Sequence, residues 1–290
     1  MISVQPCTDE FPKVKDQKIV TDGVNSITVG NYFPSTSLEL IHNMELKKTD
    51  ILLATYPRSG TTITRRLLLV MMYGADSVLN INDDKMDEMF PFLELHLGGY
   101  VGYDLAMALQ DDPLRLLKTH LPIWLAPNLT KAKKIIVARD VKDTLISCYH
   151  FYRNDTSNPK EIYNTLEFET FYKMFLSGST LWGDWYQWYR GWLDASDQNT
   201  LLLHYEDLIR NFEETVKKLA EFVDVQMTSE LMSTLKKAAD FKRMKEESVC
   251  SLIENFVRKG VIGDHKNYLD EEKIKFLNDR CQEIVPELSK

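Results

Sequence analysis

The chain has 290 residues, of which 44% are hydrophobic and 27% are charged, and this composition excludes a disordered, collagen-like or disulfide-stapled protein. Its 35 basic and 43 acidic residues give a net charge of −8, which argues against nucleic acid or an anionic membrane surface as a partner but allows a local anion site. The four cysteines lie far apart without metal-ligand or redox spacing, so we expect neither disulfides nor a bound metal.

No segment predicts export or membrane insertion. The N-terminal residues lack an apolar leader, and the strongest apolar run, Leu67 to Met72, is far shorter than the roughly 18 residues of a bilayer span. We therefore expect a soluble, cytosolic protein. No repeat or linker divides the chain, which predicts one domain over residues 1–290, with residues 1–45 as an N-terminal extension packed on it.

Short apolar runs alternate with helical patterns along the chain. The runs predict buried strands at Asp50 to Tyr56, Leu114 to Thr119, Lys134 to Ala138 and Thr200 to His204. Helices are predicted at Thr61 to Tyr73, Asp140 to Arg153 and Asn211 to Val223. This alternation predicts an α/β fold in which a mostly parallel central sheet carries helices on both faces. In such sheets, ligands bind beyond the carboxyl ends of the strands.

The first predicted strand ends in a glycine-containing polar segment, Pro57 to Thr62, that opens a helix. Gly60 lets the backbone approach an anion, the helix N-terminus supplies N–H groups, and Arg58 supplies a charge. The segment lacks the GxxxxGK[ST] pattern of a nucleoside triphosphate loop. We interpret it as a phosphate-binding loop, and the alternative is a simple helix cap made by serine and threonine.

A second basic residue, Arg139, ends the third predicted strand. Ser147 follows on the next helix, so the guanidinium and the hydroxyl could share one oxyanion. The alternative is a surface ion pair between Arg139 and Asp143. A third basic segment holds Arg258 and Lys259 directly before Gly260, which is typical of a loop folded over an anion.

One histidine stands at the same sheet edge. His120 closes the second predicted strand beside Lys118, where a neighbouring cation favours the neutral imidazole that a general base needs. The alternative is a histidine with a structural role. The sequence has neither a GxSxG elbow nor an HExxH pair, so nucleophilic serine and zinc chemistry are not indicated.

Together these segments resemble the cytosolic sulfotransferase family, which transfers the sulfuryl group of 3′-phosphoadenosine 5′-phosphosulfate (PAPS) to a hydroxyl or amine of a small molecule. The family motifs TYPKSGTTW, KTHLP, RNxKDxxxSxYHFxR, YEDL and RKGxxGDxKN are similar to Thr55 to Ile63, Lys118 to Pro122, Arg139 to Arg153, Tyr205 to Leu208 and Arg258 to Asn267. The order and spacing of the motifs make chance similarity an unsatisfactory explanation.

The resemblance implies a role for each matched residue. His120 would accept the acceptor's proton, Lys118 would assist the transferring sulfuryl group, and Arg58 would stabilise the leaving oxygen. The implied nucleotide contacts are Ser59, Gly60, Thr61 and Thr62 at the 5′-phosphate, Arg139, Ser147, Arg258, Lys259 and Gly260 at the 3′-phosphate, and Ile63, Tyr205 and Phe241 near the adenine. No metal is implied. We expect Lys118, His120 and the aromatic residues Phe92 and Tyr149 to contact the acceptor.

The sequence departs from the family pattern at several positions. Arg58 replaces a lysine, Ile63 and His265 each replace a tryptophan, and Ala239 replaces a threonine. The phosphate contacts are therefore kept and the adenine contacts are weakened. The family's dimer signature KxxxTVxxxE is not matched after Lys266, so the chain is expected to be a monomer or a different dimer.

The sequence predicts that a cluster of tryptophans has a structural role. Trp182, Trp185, Trp188 and Trp192 recur at steps of three and four residues, which predicts the buried stripe of one helix rather than a ligand pocket.

The main functional prediction is a PAPS-dependent sulfotransferase that acts on a small, largely apolar phenol, alcohol or steroid. The alternative is a module or pseudoenzyme that binds PAPS or its product adenosine 3′,5′-bisphosphate (PAP) with little or no turnover. A third possibility is a small-molecule kinase, which the strand, loop and helix would allow but which lacks the expected lysine.

Overall fold

A computed structural model describes residues 3–6, 18–29, 33–74, 83–97, 99–154, 165–247 and 260–289. The strands are β1 (Ser3–Pro6), β2 (Lys18–Thr21), β3 (Ser26–Val29), β4 (Ile51–Thr55), β5 (His96–Leu97), β6 (Tyr100–Val101), β7 (Leu116–Thr119), β8 (Lys133–Ala138) and β9 (Thr200–His204). The α-helices are α1 (Ser35–Asn43), α2 (Thr61–Tyr73), α3 (Asp83–Met89), α4 (Gly102–Ala108), α5 (Val141–Asn154), α6 (Phe168–Leu176), α7 (Trp185–Asp194), α8 (Tyr205–Arg210), α9 (Phe212–Phe222), α10 (Ser229–Ala238), α11 (Phe241–Glu247) and α12 (Glu271–Ile284). Short 3₁₀ helices lie at Ile123–Leu125, Pro127–Lys131, Asp264–Asn267 and Pro286–Leu288.

The central sheet has four strands in the order β7-β4-β8-β9, and every neighbouring pair is parallel. All five residues of β4 are buried, as expected for a strand covered on both faces. The predicted strands and the observed ones agree to within two residues at each end. The predicted α/β fold with a mostly parallel sheet is therefore confirmed.

Each face of the sheet carries its own hydrophobic core. Along β4, Leu52 and Ala54 belong to one buried cluster, whereas Ile51 and Leu53 belong to the other. This alternation arises because successive side chains of a strand point to opposite faces. Helix α2 packs in the second cluster and α7 in the first, so helices cover both faces as predicted.

The tryptophan cluster is only partly helical. Trp185, Trp188 and Trp192 are fully buried on α7, as predicted. Trp182 lies before the helix in a left-handed conformation with φ of 71°. The reason is the cap at Asp184, whose carboxylate accepts from the backbone N–H groups of the first turn and so fixes the helix start after it. The prediction of one helical stripe was wrong for Trp182.

The N-terminal strands β1, β2 and β3 form a separate antiparallel sheet. This sheet touches the rest of the chain through a bridge between Thr28 and Leu181. That residues 1–45 form an extension stays a prediction. Within the part of the chain that the structure describes, none of the helices combines the length and apolar content of a bilayer span.

The carboxyl ends of three strands meet at one edge of the central sheet. In the register, Ala54 lies opposite Thr119, and Thr55 lies opposite Val137. The phosphate-loop segment, His120 and Arg139 follow directly after these strand ends. The sheet therefore brings three of the predicted site segments to one edge, as the rule for parallel sheets requires.

Candidate functional site

The segment between β4 and α2 turns on two left-handed residues, Arg58 with φ of 69° and Gly60 with φ of 111°. Ser59 is fully buried between them, whereas Thr61 and Thr62 are partly exposed. Gly60 caps α2 without a side chain. The first N–H groups of a helix have no intrahelical acceptor, so this turn offers backbone donors to an anion.

Two glycines of the site are pressed against aromatic rings. A Cβ atom at Gly60 would lie 2.9 Å from Cδ2 of Tyr205, and one at Gly260 would lie 2.3 Å from Cδ2 of Phe241. Both contacts are too short for any residue with a side chain. The structure thus brings the two aromatic residues predicted near the adenine against the two predicted phosphate loops.

Arg139 is a nearly buried cation at the end of β8. Its NH1 donates to the carbonyl of Arg58 at 3.0 Å, and its NH2 donates to the carbonyl of Val261 at 3.4 Å. The guanidinium lies 4.6 Å above the ring of Tyr205. Its Nε is buried and has no hydrogen-bond partner among the described residues. Arg139 therefore joins the phosphate loop to residues 260–267, which we call the C-terminal loop.

The side chain of Arg58 turns toward α5. Its Nε donates to Oγ of Ser147 at 3.2 Å, and its guanidinium lies 5.3 Å from the centre of the Phe151 ring. Arg58 and Ser147, predicted for opposite ends of the nucleotide, are thus hydrogen-bonded to each other.

Of the other predicted nucleotide residues, Ile63 is described by the structure and two are not. Ile63 lies on α2 and is buried in the second hydrophobic cluster, which also contains Tyr205. Arg258 and Lys259 lie outside the described residues, which resume at Gly260.

His120 has a defined orientation at the end of β7. Its Nδ1 lies 2.7 Å from the carbonyl oxygen of Thr55, so Nδ1 carries the proton and Nε2 is left as the basic nitrogen. The backbone around it is also held, because its N–H donates to Glu94 and its carbonyl accepts from Trp188 Nε1 at 2.8 Å. Thr55 Oγ1 lies 2.7 Å from Thr61 Oγ1, which links the histidine to the phosphate loop.

Burial sets the protonation of this region. It lowers the pKa of His120 to about 3, and the positive charges of Lys118 and Arg58 act in the same direction against the hydrogen bond to Thr55. Burial also raises the pKa of Glu94 to about 7, although this carboxyl accepts from the N–H of His120 and from Thr119 Oγ1. The imidazole is therefore neutral at neutral pH. Glu94 has no local pattern around it in the sequence that predicts this contact.

Lys118 is ion-paired at the same edge. Its Nζ lies 3.1 Å from Oδ1 of Asp87, and Arg65 contacts the same oxygen. Burial acts to raise the pKa of the Asp87 carboxyl, but these two cations lower it overall. Lys118 Nζ also lies 4.8 Å from the centre of the Phe92 ring. Asp87 was missed because only the folded chain brings α3 to this strand end.

Four aromatic rings form a closed group, which we call the aromatic enclosure. The ring centres are 4.8 Å apart for Phe92 and His120, 5.8 Å for His120 and Trp182, 5.7 Å for Trp182 and Phe33, and 6.4 Å for Phe33 and Phe92. Phe92 was predicted to face the acceptor. Phe33 and Trp182 were not, since their sequence neighbourhoods give no sign of this contact.

Tyr149, which was also predicted to contact the acceptor, lies outside the aromatic enclosure. It is buried on α5, with its ring 5.2 Å from Phe168 and 5.7 Å from Phe171, and its hydroxyl donates to the carbonyl of Leu166. Tyr149 thus lies in the hydrophobic core against α6 and not in the aromatic enclosure. That it contacts the acceptor stays a prediction.

Over the described ranges, no group of three or more histidine, cysteine, aspartate or glutamate residues has the geometry to hold a metal ion. The groups that the site presents at this sheet edge are a neutral imidazole, several cations and backbone N–H groups.

Comparison with known proteins decides the family. The family described as "Sulfotransferase domain" matches residues 48–289, which is most of the chain. The chain belongs to the sulfotransferase family. It is 32% identical to sulfotransferase 1A1 of Canis lupus familiaris over 260 residues, which cover 84% of this chain and 85% of that protein. It is 31% identical to sulfotransferase 1B1 of Mus musculus over 245 residues, which cover 79% and 80%. This sulfotransferase is accordingly an enzyme, as predicted.

Solved structures show the same fold. A mouse sulfotransferase, SULT7A1, complexed with PAP has a TM-score of 0.71 at 23% identity, and the match covers 89% of this sulfotransferase and 92% of that chain. Retinol dehydratase in complex with androsterone and PAP has a TM-score of 0.81 at 20% identity, with coverage of 100% and 97%.

Proposed function

We propose that this sulfotransferase transfers the sulfuryl group of PAPS to a hydroxyl or amine of a small, largely apolar acceptor such as a phenol, an alcohol or a steroid, with His120 as general base. One observation carries the proposal. His120 Nδ1 is 2.7 Å from the Thr55 carbonyl at the entrance of the phosphate loop, and this contact leaves Nε2 as a neutral base beside the anion site.

The residues present fit a nucleotide with two phosphate groups. The first turn of α2 offers backbone N–H groups, and Arg139 keeps a buried Nε without a partner among the described residues. Tyr205 and Phe241 lie against Gly60 and Gly260, where a flat base can stack. The two structurally similar proteins named above were crystallised with PAP, which supports the same class of nucleotide here.

The donor supplies a sulfuryl group bound to a phosphate leaving group. His120 Nε2 accepts the hydroxyl proton of the acceptor while the new oxygen–sulfur bond forms and the bond between sulfur and the phosphate oxygen breaks. Lys118 and Arg58 stabilise negative charge on the moving group and on the leaving oxygen, as in phosphoryl transfer. The Nε of Arg58 donates to Ser147 Oγ, so this hydroxyl orients the guanidinium that acts on the leaving oxygen.

The low pKa of His120 has a direct consequence for this step. A pKa of about 3 keeps the imidazole unprotonated but makes it a weak base. A bound anionic donor offsets the charges of Lys118 and Arg58, which are smaller causes of the low pKa than burial, and so raises the pKa of His120 only in part.

The aromatic enclosure supports the acceptor class. Phe33, Phe92 and Trp182 surround His120 with apolar surface, and such surfaces favour flat or apolar molecules with one reacting polar group. Phe92 also carries Lys118 over its ring, so the apolar surface and the cation that acts on the sulfuryl group lie side by side.

Incubation with radiolabelled PAPS and a panel of phenols, steroids and alcohols tests the proposal. We expect transfer to at least one acceptor, and we expect His120→Ala to reduce the rate by about 10²–10⁴ while PAP binding, measured by calorimetry, is unchanged. His96→Ala is the matched control, because His96 is exposed on β5 and should have no effect.

Other results would favour the alternatives. Transfer by His120→Ala at close to the normal rate would remove His120 from the base role. Binding of PAP without transfer to any acceptor would favour a nucleotide-binding module, the hypothesis that Ile63 in place of a tryptophan motivates. A larger rise in melting temperature with ATP and magnesium than with PAPS would favour a kinase.

A further inference from the structure

A buried carboxylate joins α5 to the C-terminal loop. Asp143, in the first turn of α5, accepts from the backbone N–H of Gly263 at 2.6 Å and from the backbone N–H of His265 at 3.1 Å. It also accepts from Nδ1 of His265 at 2.7 Å. Asp143 is 2% exposed and His265 is 8% exposed. The alternative of a surface ion pair between Arg139 and Asp143 is therefore wrong, since this carboxylate is buried and bonded to the loop.

The pair lies between the two parts of the predicted 3′-phosphate site. Ser147 follows Asp143 by one helical turn on α5, and Arg139 precedes this helix at the end of β8. On the other side, the described loop begins at Gly260, and the carbonyl of Val261 accepts from Arg139. The contact of Asp143 with His265 thus fixes the distance between α5 and the loop.

The loop needs such an anchor because its backbone turns sharply. Gly260 has φ of 65° and Gly263 has φ of 86°, both in the left-handed region. The first of these glycines is packed on Phe241, and the second donates its N–H to Asp143. Glycine makes these turns accessible but does not hold them, so the position of the loop depends on its hydrogen bonds.

The hydrogen bonds also neutralise an unfavourable charge. A carboxylate beside a phosphate site repels the ligand unless donors compensate it. Burial acts to raise the pKa of Asp143, but the bonds from His265 and Gly263 lower it overall, so the carboxylate stays ionised and its charge is directed at the loop. Without the imidazole, more of that charge would act on the anion.

We propose that Asp143 and His265 are positioning residues for the 3′-phosphate, and that their contact sets how strongly the enzyme prefers a nucleotide that carries this group. The inference rests on the proposed function, since it needs a 3′-phosphorylated nucleotide at this site. The matching family motif has a tryptophan at position 265, so the imidazole contact belongs to this chain and not to the motif.

Two nucleotides that differ only in the 3′-phosphate test the proposal. Calorimetry gives the dissociation constants of PAP and of adenosine 5′-phosphate, and their ratio is the preference for the 3′-phosphate. Because hydrogen bonds to charged groups are involved, we expect His265→Ala to reduce this ratio about tenfold, through weaker PAP binding. His265→Asn, whose side-chain amide nitrogen can take the place of Nδ1, should restore most of it.

Two further variants separate the hydrogen bond from packing. His265→Phe keeps a ring in the buried position without the donor and should lose the preference as His265→Ala does, so it replaces that variant if alanine prevents folding. Tyr268→Phe is the matched control. It removes the 2.8 Å contact of the Tyr268 hydroxyl with His150 Nε2, between the same helix and the same part of the chain, and should leave the ratio unchanged.

The outcomes are distinct. Equal weakening of both nucleotides in His265→Ala and His265→Phe, or an unchanged ratio, would overturn the positioning role. Wild-type protein that binds neither nucleotide would contradict the proposed function itself, and the inference would fall with it.

Discussion

The two ends of the site hold their charges in different ways. At the His120 end, Asp87 pairs with Lys118 and Arg65, and Glu94 accepts from the backbone of the histidine. At the other end, Arg139 donates to two backbone carbonyls, which carry no net charge. The cations of the first end are compensated by ion pairs, whereas at the second end, the anion end, Arg139 bonds to carbonyls and the ionised Asp143 bonds to the C-terminal loop. We infer that the protein orients the His120 imidazole before any ligand arrives, whereas a bound anion adds its own contacts to Arg139.

The largest expected effect concerns Glu94, at the compensated end. Because its pKa is raised from 4.5 to about 7, the unfolded chain releases this proton at lower pH than the folded protein does, so stability falls as pH rises from 4.5 to about 7. The loss is about 3 kcal/mol in free energy of unfolding. Glu94→Gln cannot titrate, so relative to wild type it gains stability over this window, even though its amide keeps only one acceptor oxygen.

Urea unfolding of Glu94→Gln and wild type between pH 4.5 and 8 measures the effect. Glu88→Gln is the matched control, because it makes the same substitution at a side chain that is 54% exposed. If the stability difference between Glu94→Gln and wild type did not change with pH, burial would not be governing the charges of the His120 end.

A smaller effect is expected at the anion end. Arg139→Gln removes the cation and should weaken PAP binding about tenfold to a hundredfold, with kcat at saturating donor little changed. Arg153→Gln, on the exposed end of α5, makes the same charge change away from Arg139 and should bind normally. Steady-state kinetics and calorimetry separate the two quantities. A fall in kcat with unchanged PAP binding would show that Arg139 acts on the transfer step. That result would contradict the difference between the His120 end and the anion end.

The smallest effect is expected at Gly60, the glycine of the phosphate loop between the His120 end and the anion end. Gly60→Ala meets Tyr205 and a left-handed backbone, and should cost about 1–2 kcal/mol of stability together with some donor affinity. Gly23→Ala has a similar positive φ of 94° but nothing within 4 Å of the new Cβ, so it measures the cost of a positive φ without a clash. Equal melting temperatures for the two variants would show that the Tyr205 ring moves to accommodate the methyl group at little cost in stability.

Short-range patterns in the sequence were sufficient to predict the central strands and the helix that follows the first of them. Apolar runs predicted the four central strands, and helix α2 spans the predicted range, because a fully buried strand and the helix after it leave patterns within a dozen residues. The same patterns placed the phosphate loop and His120 at the carboxyl edge of the sheet. The motif resemblance added roles to residues whose position the periodicity already indicated.

The parts that were missed depend on contacts between distant segments. Phe33 and Trp182 reach His120 only through the folded chain, and the Asp184 cap decides that Trp182 stays outside α7. Tyr149 was predicted from its aromatic neighbours to contact the acceptor, and the structure shows its ring packed against α6. Sequence composition cannot separate a pocket ring from a core ring, because both are apolar and aromatic.

The contact between Asp143 and His265 also constrains how the site can be built during synthesis. These residues are 122 positions apart in the sequence. The strands that carry the phosphate loop, His120 and Arg139 leave the ribosome well before the loop that Asp143 binds. A growing chain can thus complete its central sheet while the anion end still lacks its anchor, so the two ends of the site are assembled one after the other.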